Sequence, residues 1–146
     1  MGKDWSAPCR NSVYAPTGSV SYADKANPAV GAFLSDFAKY GRGATMHQWT
    51  LEGYGNAMWF ADGVKSMGAN PTREGLINYL DSVKGYTAGG LFAPRDFQVV
   101  DETKPQQECN TIVQWQDSAA TYVTRAPVTY CVMKQPIPYQ PSDDGA

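Results

Sequence analysis

The chain has 146 residues, 42% of them apolar and 18% charged, with a formal net charge of -2 and a pI near 5.2. That length suits one hydrophobic core and is short for two. The charge balance leaves no basic footprint for nucleic acid or for an anionic membrane surface, so neither is expected as a partner.

Taken in order, residues 1–26 are polar and rich in turn formers, and read as an N-terminal loop or linker. Ser12-Val13-Tyr14 is its only short strand candidate, ahead of Pro16 and Gly18. No apolar h-region precedes Pro8, so no signal peptide or lipid-attachment signal is visible, and the chain begins as a mature product would. Residues 27–100 form a helical part. Asn27-Pro28 has the pattern of an N-cap followed by proline at the first helical position. Val30, Phe33, Leu34, Phe37 and Ala38 then form one apolar stripe, which Gly41 and Gly43 end.

Residues 47–68 are expected to be the helix around which the rest is built. Leu51, Tyr54, Met58 and Ala61 recur at intervals of three and four, and Ala57, Phe60, Val64 and Met67 fill a second stripe. Apolar positions around most of the circumference predict a buried helix, one too short and too interrupted to cross a membrane. Asn70-Pro71 repeats the earlier start signal for a third, amphipathic helix carrying Leu76, Ile77, Leu80 and Val83 and ending at Lys84-Gly85.

A glycine-rich crossing, residues 86–94, leads to a strand candidate at Phe97-Gln98-Val99-Val100. Residues 101–134 form a β-rich segment. Its runs Thr111–Trp115, Thr121–Thr124 and Val128–Val132 are spaced for an antiparallel meander. Residues 135–146 are a Pro-rich tail, expected at the surface or disordered. Of the three cysteines, Cys109 and Cys131 flank these runs and fall within disulfide reach if the strands fold back; the alternative is two buried thiols. Cys9 is left over and points to a partner outside the chain or a removed segment.

Few residues carry chemistry. His47 is the only histidine and has no His or Cys at ligand spacing, so neither a metal site nor any cofactor is expected. Asp62 and Lys65 are spaced for a surface ion pair. Gly89-Gly90 follows a helix instead of preceding one, so it does not aim amides at a phosphate. Glu52 is either a contact for a ligand's ammonium group or a first-turn carboxylate favoured by the helix dipole. Trp49, between Gln48 and Thr50, either walls a small-ligand pocket or packs on Leu51 or the strand layer. No enzyme signature is present.

The order of segments resembles a known family. Asn27-Pro28-Ala29-Val30 through Tyr40-Gly41, then Leu51-Glu52-Gly53-Tyr54-Gly55-Asn56-Ala57, Val64 to Gly68, Pro71 to Leu80, and Tyr86-Thr87-Ala88-Gly89-Gly90-Leu91 to Phe97 resemble the C-terminal third of type I periplasmic solute-binding proteins. The branched-chain amino acid (leucine/isoleucine/valine) binding group is the match in view, with Gly55 inserted in its GY-x-A step. The resemblance implies an α/β protein with part of the type I fold, three consecutive helices followed by a short β-rich segment, the helices resembling the first lobe and residues 101–134 second-lobe strands. It implies an extracytoplasmic fragment that binds a small polar solute such as an amino acid for an ABC importer permease. Trp49 matches a cleft aromatic, Glu52 is its neighbour, and Tyr54 completes the candidate ligand-binding set. A complete binding protein is much longer, so a missing N-terminal part or a partner chain is implied. The alternative is an extracellular interaction or assembly module, with a homo-oligomer as one form of it, that keeps part of the scaffold without binding a ligand.

Overall fold

The computed structural model describes residues 4–96 and 106–134, which form a mixed α/β fold. The elements are α1 (Ala7–Asn11), β1 (Tyr14–Thr17), α2 (Pro28–Tyr40), α3 (Gln48–Ser66), α4 (Arg73–Ser82), a 3-10 turn (Ala88–Gly90), β2 (Gln106–Gln116), β3 (Thr121–Thr124) and β4 (Tyr130–Lys134). The strand candidate at residues 97–100, most of the polar stretch after it and the tail at 135–146 lie outside the described residues.

The core is built from Val20, Val30, Phe33, Leu51, Ala88, Leu91 and Phe92, with Leu34, Phe37, Met46, Tyr54, Met58 and Tyr86 packed around it. Its first member, Val20, comes from residues 1–26, read above as a loop or linker, and here the chain is ordered against the core. Ser19, Val20 and Ser21 are buried, with Val20 N–H donating to Leu91 O at 2.9 Å and Ala93 N–H to Gly18 O at 3.0 Å. Before this strap, β1 lies against β2 in register Tyr14↔Gln114 to Thr17↔Thr111. Pro16 is tolerated there because β1 is the edge of the sheet among the described residues, where a missing N–H costs no ladder bond.

The two Asn-Pro pairs part company. Asn27 caps α2, its side-chain oxygen accepting from Ala29 N–H at 2.9 Å, while its amide donates to Gly90 O at 3.2 Å. Asn70-Pro71 stays outside α4, because the next residue, Thr72, supplies the cap by accepting from Gly75 N–H at 3.0 Å. α4 stops at Ser82, two residues short of Lys84.

α3 is not buried around its circumference as its composition suggests. One stripe is covered, Leu51, Gly55, Trp59 and Gly63, spaced by four. Of the second stripe, Ala57 and Phe60 face outward, Phe60 57% exposed, while Val64 and Met67 are half-buried. The glycines decide which face goes in. A Cβ on Gly55 would collide with the Phe92 ring, and one on Gly63 would lie 2.5 Å from Leu76 Cδ1. These neighbours reach the helix backbone because no side chain stands between. Trp59 stacks on Tyr86 at 4.5 Å between ring centroids, and Tyr86 donates its hydroxyl to Asp62 at 3.0 Å. Burial first, then Asp62, push the Tyr86 phenol well above its ordinary pKa. The following crossing needs φ of +68° at Gly89 and +106° at Gly90, a backbone that glycine takes without steric cost.

The four strands are all antiparallel around β2 but are not a simple meander. β3 pairs back on β2 from Val113↔Thr124 to Gln116↔Thr121. β4 pairs with β2 as well, further along it, from Gln106↔Lys134 to Asn110↔Tyr130. The eleven residues of β2 are long enough to receive both, and the register slips between them.

Candidate functional site

The first turns of α3 carry the polar groups that sequence reasoning singled out, and the strap at residues 18–22 brings further partners to them. Gln48 donates from Nε2 to Ser19 Oγ and to Val20 O, both at 2.8 Å, and accepts from Tyr22 N–H at 3.2 Å. One turn on, Glu52 accepts from the Ser19 hydroxyl. Its other oxygen lies 3.7 Å from Arg95 Nη1. Arg95 also donates to Gly18 O, and its guanidinium carbon lies 3.8 Å from the Phe92 ring centroid. Burial pulls the Arg95 pKa down and Glu52 opposes it.

The arrangement is a charge-balanced cluster, one carboxylate and one guanidinium, with a hydroxyl and an amide beside them. Its back is closed by the sheet: Ser21 donates from Oγ to Tyr122 O at 2.6 Å, and Ser21 N–H donates to Thr124 Oγ1 at 3.0 Å. Such a set can hold a polar, uncharged or zwitterionic group by exchanging the internal pair for ligand contacts.

The three expected site residues end in different surroundings. Glu52 is inside this cluster. Trp49 is 79% exposed, at the outer side of the same helix end. Leu51, two residues on, is fully buried. Tyr54 lies on another face of the helix, about 160° around the axis from Glu52, where its hydroxyl donates to Asp36 at 2.7 Å and its ring meets Phe33 edge-on at 5.4 Å. The Asp36 hydrogen bond, followed by burial, raises the Tyr54 pKa. Tyr54 thus ties α3 to α2. His47 stands at the N-cap, its N–H donating to Thr50 Oγ1 at 3.3 Å. Ser19 and Arg95 escaped the sequence reading. Arg95 had one visible signal, a lone cation closing the apolar run from Leu91 to Pro94.

A family model described as periplasmic binding protein matches residues 6–120, more than half of the chain, and spans the strap, α2, α3, α4, the crossing and β2. The chain belongs to the periplasmic binding protein family. Membership implies binding of a small-molecule solute outside the cytoplasm, in a family that is generally non-enzymatic. No curated protein and no solved structure matches the chain. Among the described residues of this periplasmic binding protein, no helix is long and apolar enough to cross a membrane, and no three His, Cys, Asp or Glu side chains gather as metal ligands. The cysteine pair expected from the strand pattern is present as the Cys109–Cys131 disulfide, and Cys9 is free and exposed.

Proposed function

We propose that this periplasmic binding protein binds a small polar solute such as an amino acid, in the manner of the branched-chain amino acid binding group, and hands it to the permease of an ABC importer. The observation that carries the reading is the Glu52–Arg95–Ser19–Gln48 cluster at the start of α3, beside an exposed Trp49. A zwitterion offers an ammonium group to Glu52 and a carboxylate to Arg95, and Trp49 covers its apolar part. Tyr54 serves the same site indirectly by fixing α3 against α2. The reading includes a second lobe, contributed by a missing N-terminal part or a partner chain, that closes over the solute.

A second reading is an extracellular interaction or assembly module. It is favoured by the outward face of α3, where Trp49, Gly53, Asn56, Ala57 and Phe60 are exposed and uncharged. Light scattering to fix the oligomeric state, followed by calorimetry against amino acids and small carboxylates, separates the two. Saturable binding weakened at least about tenfold by Trp49→Ala and by Glu52→Gln supports the solute reading. A stable oligomer that binds nothing in the panel and is dispersed by Phe60→Glu supports assembly.

A further inference from the structure

Cys109 and Cys131 face each other directly in the β2–β4 ladder, and their sulfurs are bonded. The surroundings of this bond differ from those of the rest of the sheet. Thr111 and Val113, two and four residues along β2, are buried. Tyr130, Cys131, Val132 and Met133 of β4 are all exposed, Met133 by 58%. Among the described residues β4 pairs with β2 and with no other strand. Residues 125–128, which lead into it, are exposed too. The end of the sheet is therefore a two-stranded ribbon with little apolar cover, and such ribbons are marginal in water by themselves. A cross-link closing a loop between residues 22 positions apart supplies what packing does not.

The free thiol cannot take over. Cys9 sits on α1, which Arg10 pins to Asp117 at the far end of β2. Asp117 lies eight positions beyond Cys109, roughly 26 Å along an extended strand.

We infer that the Cys109–Cys131 disulfide is a removable staple: its reduction frees β4 from β2 and leaves the helical core and the β1–β2–β3 part of the sheet folded. The reductant is a dithiol. Its thiolate attacks one cysteine sulfur, the cysteine S–S bond breaks as the mixed disulfide forms, and the expelled cysteine thiolate takes a proton. The second thiol of the reagent then closes the reagent's own disulfide and releases the other cysteine, so two electrons and two protons pass to the pair. Departure of β4 uncovers the backbone N–H and C=O groups of residues 106–110 that it had paired, an edge open to another strand. An extracytoplasmic compartment that maintains disulfides keeps this edge closed, and a local dithiol opens it.

The test is hydrogen exchange, read by mass spectrometry, on Cys9→Ser protein, oxidised and then reduced with dithiothreitol. Amides of residues 130–134 and their partners in 106–110 are expected to exchange on the order of 100-fold faster after reduction, while those of α2, α3 and residues 111–116 change less than about twofold. Reoxidation is expected to restore the original pattern. Cys109→Ser/Cys131→Ser protein is expected to exchange like the reduced form. Unchanged exchange in β4 after complete reduction overturns the inference, and so does loss of protection throughout the chain, which would make the bond a staple of the whole fold.

Discussion

Asp117 accepts from Arg10 Nε at 2.8 and 3.0 Å, from Arg10 Nη2 at 2.5 Å, and from the Trp115 indole at 2.6 Å. Both donors favour the ionised carboxylate, Arg10 more than Trp115, and hold its pKa at about 2 against an ordinary 3.8. A depressed folded-state pKa gives stability that is present above 3.8 and lost as the pH falls toward about 2. The difference in thermal midpoint between the native protein and Asp117→Asn is therefore expected to be constant from pH 7 to about 5 and to shrink across that acid window. A difference that persists unchanged at pH 2 would mean the carboxylate's charge contributes nothing. Thr111 gives the opposite case. Its hydroxyl is buried and has no hydrogen-bond partner among the described residues, so Thr111→Val is expected to raise stability by about 1 kcal/mol, measured by urea denaturation. Neither effect is visible in the sequence, where Asp117 belongs to a turn and Thr111 to a strand like any other, because both depend on what lies opposite.

At the scale of elements, α3 holds two glycines with opposite expected responses. Gly53 is on the exposed face, and a Cβ there meets nothing within 4 Å. Gly53→Ala is expected to stabilise by about 0.5–1 kcal/mol through helix propensity alone. Gly55 is buried against the Phe92 ring, and Gly55→Ala is expected to cost about 1–3 kcal/mol because the ring must move within a packed core. Chemical denaturation of the two single variants checks both signs, and equal responses would rule out this packing. Hydropathy periodicity located the helix and the Leu51, Tyr54 and Met58 stripe that packs on the core, and missed the part of the inward face made by Gly55 and Gly63 for the same reason. Glycine counts as an interruption in such a pattern, yet at Gly55 and Gly63 the absent side chain is what admits Phe92, Leu76 and Tyr79. Asn27, Pro28 and the stripe of α2 were legible because a cap and an amphipathic face are local. Asn70-Pro71 misled because Thr72 offered a better-placed cap.

In the whole molecule, the strap at residues 18–22 is the part that joins helices to sheet. Gln48 holds it from α3 at three points, Leu91 and Ala93 hold its backbone, and Ser21 bonds to Tyr122 and Thr124 of β3 on its other side. Its contacts reach residues 101 and 103 positions away. That is why Ser, Tyr and Gly composition made it read as a linker while Val20 is core. If the strap transmits cooperativity, removing the bonds of the Gln48 and Ser21 side chains, one on each side of it, should let the two layers unfold separately. Gln48→Ala/Ser21→Ala leaves partly buried backbone groups without these partners, including Tyr22 N–H and Tyr122 O, at a cost of about 1 kcal/mol each. The sheet has its own reporter in Trp115, edge-on to Tyr122 at 5.4 Å, and the helices have theirs in Trp59 stacked on Tyr86. With the other tryptophans changed to phenylalanine, the native background is expected to show one coincident denaturant midpoint for both reporters. The double variant is expected to split them, with the sheet unfolding first because less apolar surface covers it. Coincident midpoints in the double variant would show that the layers communicate through their core instead of through the strap.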